Sequence, residues 1–234
     1  MDKFSISPIA YIHNGFKDKF GIPRQSGLAN ECVSTIIFEE KYRDENALRG
    51  LDGYSHLWLL WVFDDKNTDA DWSATVRPPR LGGNKRMGVF ATRSPYHPNG
   101  IGLSCVKIHS IEKDNNYGTI IKVLGADLKD NTPIIDIKPY LSFTDSIPDA
   151  VCGFADDVKE YELNVIIPRK ASLDISKNEI NEIISILKQD PRPSYQCDSE
   201  RIYAMIYGEY EIKFKVDNKD LTVLSIQLQP NGSE

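Results

Sequence analysis

Long apolar runs are missing from this 234-residue chain. No stretch approaches the ~18 consecutive apolar residues that a membrane-spanning helix needs. The opening Met1-Asp2-Lys3-Phe4-Ser5 lacks the charged-then-apolar order of a secretion signal. Together these absences predict a cytoplasmic protein without a membrane partner. Cysteine is sparse as well: Cys32, Cys105, Cys152 and Cys197 lie far apart and form no Cys-x-x-Cys pair. A zinc ribbon or a redox motif is therefore excluded, and the thiols read as small core hydrophobes. His13, His56, His97 and His109 show no metal-ligand spacing, so no metal is expected. No βαβ rhythm is visible and no Gly-x-Gly-x-x-Gly follows a strand, which disfavours the doubly wound nucleotide fold.

Positive charge is also short overall. A net charge of -6 argues against indiscriminate binding of polyanions, which are held mainly by Lys and Arg. Acid, however, is locally absent. Between Asp71 and Glu112 there is no Asp or Glu, yet Arg77, Arg80, Lys85, Arg86, Arg93 and Lys107 fall there. A basic tract inside an acidic protein suits a selected anionic partner better than a general coat.

What is present is enough apolar content, 41%, for one large domain or one domain plus an appendage. Up to about residue 147 the chain alternates short β-branched or aromatic runs with Gly, Pro, Asn and Asp, the pattern of a sandwich or barrel. The predicted strands are Ile6 to Ile12, Val33 to Phe38, His56 to Phe63, Gly88 to Thr92, Leu103 to Ile111, Thr119 to Leu124 and Pro133 to Ile137. From 148 to 234 the character changes. Ser176-Lys177-Asn178-Glu179 is a capping box, and Ile180, Ile183, Ile184 and Leu187 follow at the spacing of one helix face. Asp190-Pro191-Arg192-Pro193 ends that helix, because each Pro biases its predecessor away from the helical region. Arg201 to Tyr207, Tyr210 to Val216 and Leu221 to Gln227 then alternate as three strands, giving a small α+β domain.

Three loop segments could carry chemistry. Arg77 to Asn84 and Gly88 to Ser104 are dense in Pro and Gly, which fix backbone N–H and C=O groups outside any ladder. Phe20 to Ala29 is a second such loop, presenting the Arg24 guanidinium and the Gln25 amide. The third, Asp127 to Tyr140, places two carboxylates around a turn, either as a turn cap or as acceptors for a ribose diol. His56 opens an apolar strand and reads either as a hydrogen-bonded core imidazole or as a base.

These segments resemble the TrmO-type (TsaA-like) family. The resemblance rests on Arg-Pro-Pro-Arg-Leu-Gly-Gly at 77 to 83, Gly-Val-Phe-Ala-Thr-Arg-Ser-Pro at 88 to 95 and Pro-Asn at 98 and 99. It extends to Ile-Gly-Leu-Ser at 101 to 104, Asp-Ile-Lys-Pro-Tyr at 136 to 140 and Asp-Pro-Arg-Pro-x-Tyr at 190 to 195. It implies a mainly β protein: an antiparallel β-barrel methyltransferase domain over 1–147 and a small α+β C-terminal domain over 148–234. It also implies a homodimer and S-adenosylmethionine as cofactor. The implied reaction is methylation of N6 of threonylcarbamoyladenosine next to the anticodon of threonine tRNA.

Carried onto matching positions, the cofactor wall comprises Arg24, Gln25, Ser26, Phe63, Asp64, Asp65, Arg93, Leu103, Asp127, Leu128, Lys129 and Asp130. On the tRNA side stand Arg77, Arg80, Tyr96, Asn99, Lys138, Tyr140 and Arg192. The acceptor nitrogen must lose a proton during transfer, so Arg93 is expected to stabilise the developing charge and Asp64, His56 or Asp136 to take the proton. The chain departs from the family at His97, usually Arg, and at Gly100, usually Pro; Asn131 replaces a usual Gly but tolerates the left-handed conformation. The competing expectation is a non-catalytic RNA- or nucleotide-binding barrel, which would need the basic loops but no cofactor wall.

Overall fold

A computed structural model of the chain describes residues 4–63, 72–78, 81, 85–158, 161–172, 175–192 and 198–229. Six strands make the first unit: β1 (Ala10–His13), β2 (Val33–Phe38), β3 (His56–Val62), β6 (Ile101–Asp114), β7 (Gly118–Leu124) and β8 (Thr132–Pro139). They pair antiparallel in the order β1-β2-β7-β6-β3-β8, and β8 returns to β1, so the sheet closes on itself as a barrel. Closure removes the exposed strand edges that such a sheet would otherwise leave. Because successive side chains point to opposite faces, β3 sends Leu57, Leu59 and Trp61 inward, where they meet Ile12, Ile36, Val106, Ile121 and Ile134. His56 and Trp58 take the other face.

The second unit holds β9 (Asn164–Ile166), a helix at Lys177–Leu187, β10 (Tyr203–Tyr207), β11 (Tyr210–Asp217) and β12 (Asp220–Leu228), its strands in the order β10-β11-β12-β9. The predicted capping box is formed: Ser176 Oγ accepts from Glu179 N–H at 3.3 Å, and Glu179 accepts from Ser176 N–H at 3.0 Å. The helix buries Ile183, Ile186 and Leu187. Its buried face is thus rotated slightly from the predicted one, with Ile186 inside and Ile180 and Ile184 only half-buried.

Two differences from expectation matter for the site. Gly88 to Thr92 does not form a full strand: β5 (Met87–Gly88) pairs briefly with β4 (Thr75–Val76), and Val89–Ala91 turns as a short 3₁₀ helix around the buried Val89. The aromatic and β-branched residues there follow local loop geometry rather than a ladder. Second, the β1–β2 connection packs on the C-terminal core, which includes Phe16, Ala29 and Cys32, with Phe20 and Ile22 against it. Gly15 lies under the Tyr207 ring, where a Cβ would fall 2.6 Å from Cε2, and the Phe16 and Tyr207 rings are 5.1 Å apart. Burial pushes the Cys32 thiol up to about 12, so it stays a neutral part of this core. Among the described residues no helix is long and apolar enough to cross a membrane.

Candidate active site

The segment after β7 organises the site. Gly125 has φ 74, a conformation L residues rarely adopt, and a Cβ there would sit 2.6 Å from Asn30 Oδ1. The bare backbone lets the 24–30 loop approach, so that Gly27 N–H donates to Gly125 C=O at 2.8 Å. Ser26 Oγ then accepts from the Cys105 N–H of β6 at 3.1 Å. Gln25 Oε1 accepts from Arg93 Nη1 at 2.8 Å, while its Nε2 is held by the Arg24 carbonyl at 2.6 Å. Segments remote in sequence, the 24–30 loop, the 93–105 loop and strand, and 125–130, therefore meet at one place.

Asp127 is the acid of this cluster. It accepts from Ser104 Oγ at 2.5 Å, and Ser104 Oγ in turn accepts from Trp61 Nε1 at 3.0 Å. The indole can lie there only because residue 102 is glycine: a Cβ on Gly102 would come within 2.2 Å of Trp61 Cε2. Burial pushes the Asp127 carboxyl above its ordinary value, against the Ser104 hydroxyl and the Arg93 charge, which both pull it down. The cluster thus combines a desolvated carboxylate, an exposed guanidinium and an oriented amide.

The other residues expected on the cofactor have the following surroundings. Phe63 packs on Trp61 with centroids 4.3 Å apart, and its N–H donates to Gly100 C=O at 3.0 Å. Leu103, 48% exposed, shares the outer face of β6 with Cys105. Leu128 is buried in the barrel core, and the Lys129 carbonyl accepts from Thr132 Oγ1 at 2.7 Å. Asp130 is committed to the β1 end, accepting from Asn14 N–H at 3.0 Å and Lys17 Nζ at 2.6 Å. Its burial acts upward on the carboxyl but is outweighed by those donors, so it lies below the usual carboxylate range. The Arg24 guanidinium reaches the Arg192 carbonyl at 2.9 Å. Asp64 and Asp65 lie outside the described residues, as does Arg80.

Two of the expected proton acceptors are bonded to groups outside this cluster. His56 bonds Ser55 Oγ through Nδ1 at 2.8 Å and lies with Trp58 beside Tyr140 on the outer face of β3. Asp136 is paired with Lys138 at 2.7 Å. On the tRNA side, Arg77, Tyr96 and Asn99 are exposed. Arg192 is not: it is 8% exposed, and its Nε and Nη2 both bond the Asp190 carboxylate, at 2.8 and 2.9 Å, so it holds the protein together instead of facing solvent.

Both departures from the family pattern have a local use. His97 Nε2 bonds the Thr92 carbonyl at 2.8 Å, and Gly100 has φ 57, which a proline ring forbids. Asn131 adopts the left-handed conformation, φ 63, as expected. The sequence alone does not single out Trp61, Gly102 or Ser104. Trp61 reads as core in an alternating strand, and only the Ile-Gly-Leu-Ser phrase hinted at the other two. Among the described residues no group of three or more His, Cys, Asp or Glu could hold a metal ion.

The profile of the tRNA-methyltransferase O N-terminal domain matches residues 11–146, and that of the TrmO C-terminal domain matches residues 160–229. The chain is 38% identical to the Escherichia coli tRNA (adenine(37)-N6)-methyltransferase, covering 97% of this chain and 99% of the relative. It is 39% identical to a Pseudomonas aeruginosa protein provisionally assigned as the S-adenosylmethionine-dependent methyltransferase RcsF, covering 93% of this chain and 94% of that one. The crystal structure of TrmO from Pseudomonas aeruginosa superposes with a TM-score of 0.78 at 31% identity, covering 98% of this chain and 99% of that chain. Fold and relatives together define an S-adenosylmethionine-dependent methyltransferase whose scaffold is mainly β. The chain belongs to the tRNA-methyltransferase O family.

Proposed function

We propose that this protein methylates N6 of the adenosine next to the anticodon of threonine tRNA, in its threonylcarbamoylated form, in the cytoplasm. The tRNA adenine activity is the one named for the Escherichia coli relative. The observation that carries the reading is the convergence of Gln25, Ser26, Arg93 and Asp127 from three distant segments. In this reading residues 1–147 are the catalytic barrel domain and 148–234 an appended α+β domain.

The residues present fit the cofactor chemically. S-Adenosylmethionine carries an ammonium, a carboxylate, a ribose diol and an adenine. Asp127 supplies an anionic acceptor, Arg93 and the Gln25 amide supply donors, and Leu103 supplies exposed apolar surface. When bound, the cofactor supplies an electrophilic methyl group.

The chain's own task is to hold the acceptor and manage its proton. Holding reacting groups in line is worth roughly 7 to 11 kcal/mol of barrier. Arg93, oriented by Gln25, stabilises the negative charge that grows as the acceptor nitrogen loses its proton. Among the expected bases, Asp64, which lies outside the described residues, is assigned the proton, since Asp127 is committed to the cofactor and His56 and Asp136 are bonded to Ser55 and Lys138. Tyr96, 72% exposed on the basic loop, offers a face on which the unstacked base can lie, worth about 1 to 3 kcal/mol. Arg77 and Asn99 are exposed to meet the anticodon loop. Exposed Ile101 and Leu103 on β6 favour a second copy of the chain covering that face.

The test incubates the protein with methyl-labelled S-adenosylmethionine and two preparations of threonine tRNA, with and without the threonylcarbamoyl group. Label is expected only in the first. Equal labelling of both would reject the modified base as substrate, and label in neither would leave a non-catalytic RNA-binding barrel.

A further inference from the structure

The Asp190-Pro191-Arg192 turn is part of the longest C-terminal motif in the sequence, yet it lies in the second unit and Arg192 faces inward. Its construction is unusual. Asp190 follows the helix at Lys177–Leu187 with φ 49, a left-handed conformation that Asp tolerates better than most residues, and Pro191 fixes the next φ. The Asp190 carboxylate accepts both arms of the Arg192 guanidinium, the Arg192 N–H at 3.3 Å and the Tyr161 hydroxyl at 3.1 Å. The guanidinium also lies over the Tyr203 ring, 5.9 Å from its centroid. Such a two-pronged charged pair, with its lone pairs filled, fixes orientation as well as contact.

What this orientation delivers is the Arg192 carbonyl, which accepts from Arg24 Nη2 at 2.9 Å. Arg24 precedes Gln25 and Ser26, the two loop residues that reach Arg93 and β6. The same loop is anchored on both sides by the C-terminal core. Before Arg24, Gly21 has φ 101 and lies so close to Met205 that a Cβ would be 2.8 Å from its Cε. After Ser26, Ala29 and Cys32 are members of that core.

We propose that Asp190 and Arg192 are positioning residues, and that the C-terminal domain sets the shape of the 22–29 loop in which the cofactor is held. The inference rests on the reading of that loop as part of the cofactor wall. Asp190 and Arg192 themselves act through Arg24 and touch neither cofactor nor tRNA.

Asp190→Asn keeps size and tolerance of the left-handed conformation but removes the charge that holds the fork. Arg192→Lys keeps a charge but loses the second arm and is the gentler variant, read in its place should the first fail to fold. Hydrogen–deuterium exchange on the full chain, with melting curves as a check of folding, reads the loop directly. Calorimetric titration with S-adenosylmethionine reads the consequence. Amides of 22–29 should exchange faster while those of β2 and β7 are unchanged, and the Kd for S-adenosylmethionine should rise about tenfold, the scale of one charged hydrogen bond. Unchanged exchange in 22–29 overturns the proposal, and so does faster exchange with an unchanged Kd. A wild-type chain that binds no S-adenosylmethionine would instead strike down the cofactor reading itself, and the proposal with it.

Discussion

Each face of β3 carries a tryptophan, and the two lead to different places. On the outer face His56 and Trp58 gather beside Tyr140, with ring centroids 6.1 and 5.9 Å from it. Their polar atoms are satisfied nearby, by Ser55 and by Asp145. On the inner face Trp61 donates to Ser104, and Ser104 to Asp127, beside the Arg93–Gln25 pair. Both faces offer an aromatic group and a titratable one. Only the inner chain leads to loops that arrive from three parts of the sequence. A site needs that convergence, because it is what fixes several polar groups relative to one ligand.

The largest effect is expected at Arg93. Arg93→Ala should lower the methyl transfer rate by roughly a hundred- to a thousandfold, the usual loss of a charge-stabilising donor. Because Arg93 is exposed, its melting temperature should stay close to wild type. A fully active variant would remove the inner face from consideration. Gly102→Ala presses a methyl into the Trp61 ring and should cost about 1 to 3 kcal/mol in denaturant unfolding. It should also depress transfer through the displaced Ser104–Asp127 link. Unchanged stability would mean that the indole does not lie over residue 102.

A pH series sharpens the difference further. Burial raises the Asp127 carboxyl above its ordinary 3.8, so the folded chain holds this proton more tightly than the unfolded chain. The associated stability is present below the ordinary carboxyl range and is lost as pH rises through the folded value. Asp127→Asn lacks this titration. Its stability relative to wild type should therefore rise with pH across that window, while its transfer activity falls. A pH-independent gap in denaturation midpoints would contradict a desolvated Asp127. The smallest effect belongs to the outer face: His56→Ala should leave the transfer rate within about twofold, since it touches nothing in the cluster. A large loss would restore His56 as the base.

Much of the scaffold is legible in the sequence because alternation is a local signal. Val33 to Phe38 is read to the residue, and the strands at His56, Thr119, Tyr210 and Leu221 to within one or two. The ring order is not legible, since β1 beside β8 and β2 beside β7 are long-range pairings that leave no local trace. The tail of β6 is not legible because Glu112-Lys113-Asp114 is charged and mostly exposed, with no apolar alternation to mark it as strand. β9 is three residues long and pairs parallel with β12, too brief for a periodic signal.

Of the proposed site, Arg24, Gln25, Ser26, Arg93 and Asp127 are readable as candidates through the family resemblance, and the structure links Gln25 to Arg93 and Ser26 to β6. The supporting Trp61–Ser104 chain is not readable, because a core Trp and a small Ser look ordinary until they face each other. The burial of Arg192 is hidden in the sequence for a similar reason. A basic residue beside two prolines suggests a surface loop, and only the left-handed Asp190 turns the guanidinium inward.

The most direct measurement is a crystal structure of the chain with S-adenosylhomocysteine. The ligand is expected in contact with Gln25, Ser26, Arg93 and Leu103, with Asp127 within hydrogen-bond reach of one of its polar groups. Ligand density confined to His56, Trp58 and Tyr140, with Leu103 and the Arg93–Gln25 pair untouched, would contradict this reading.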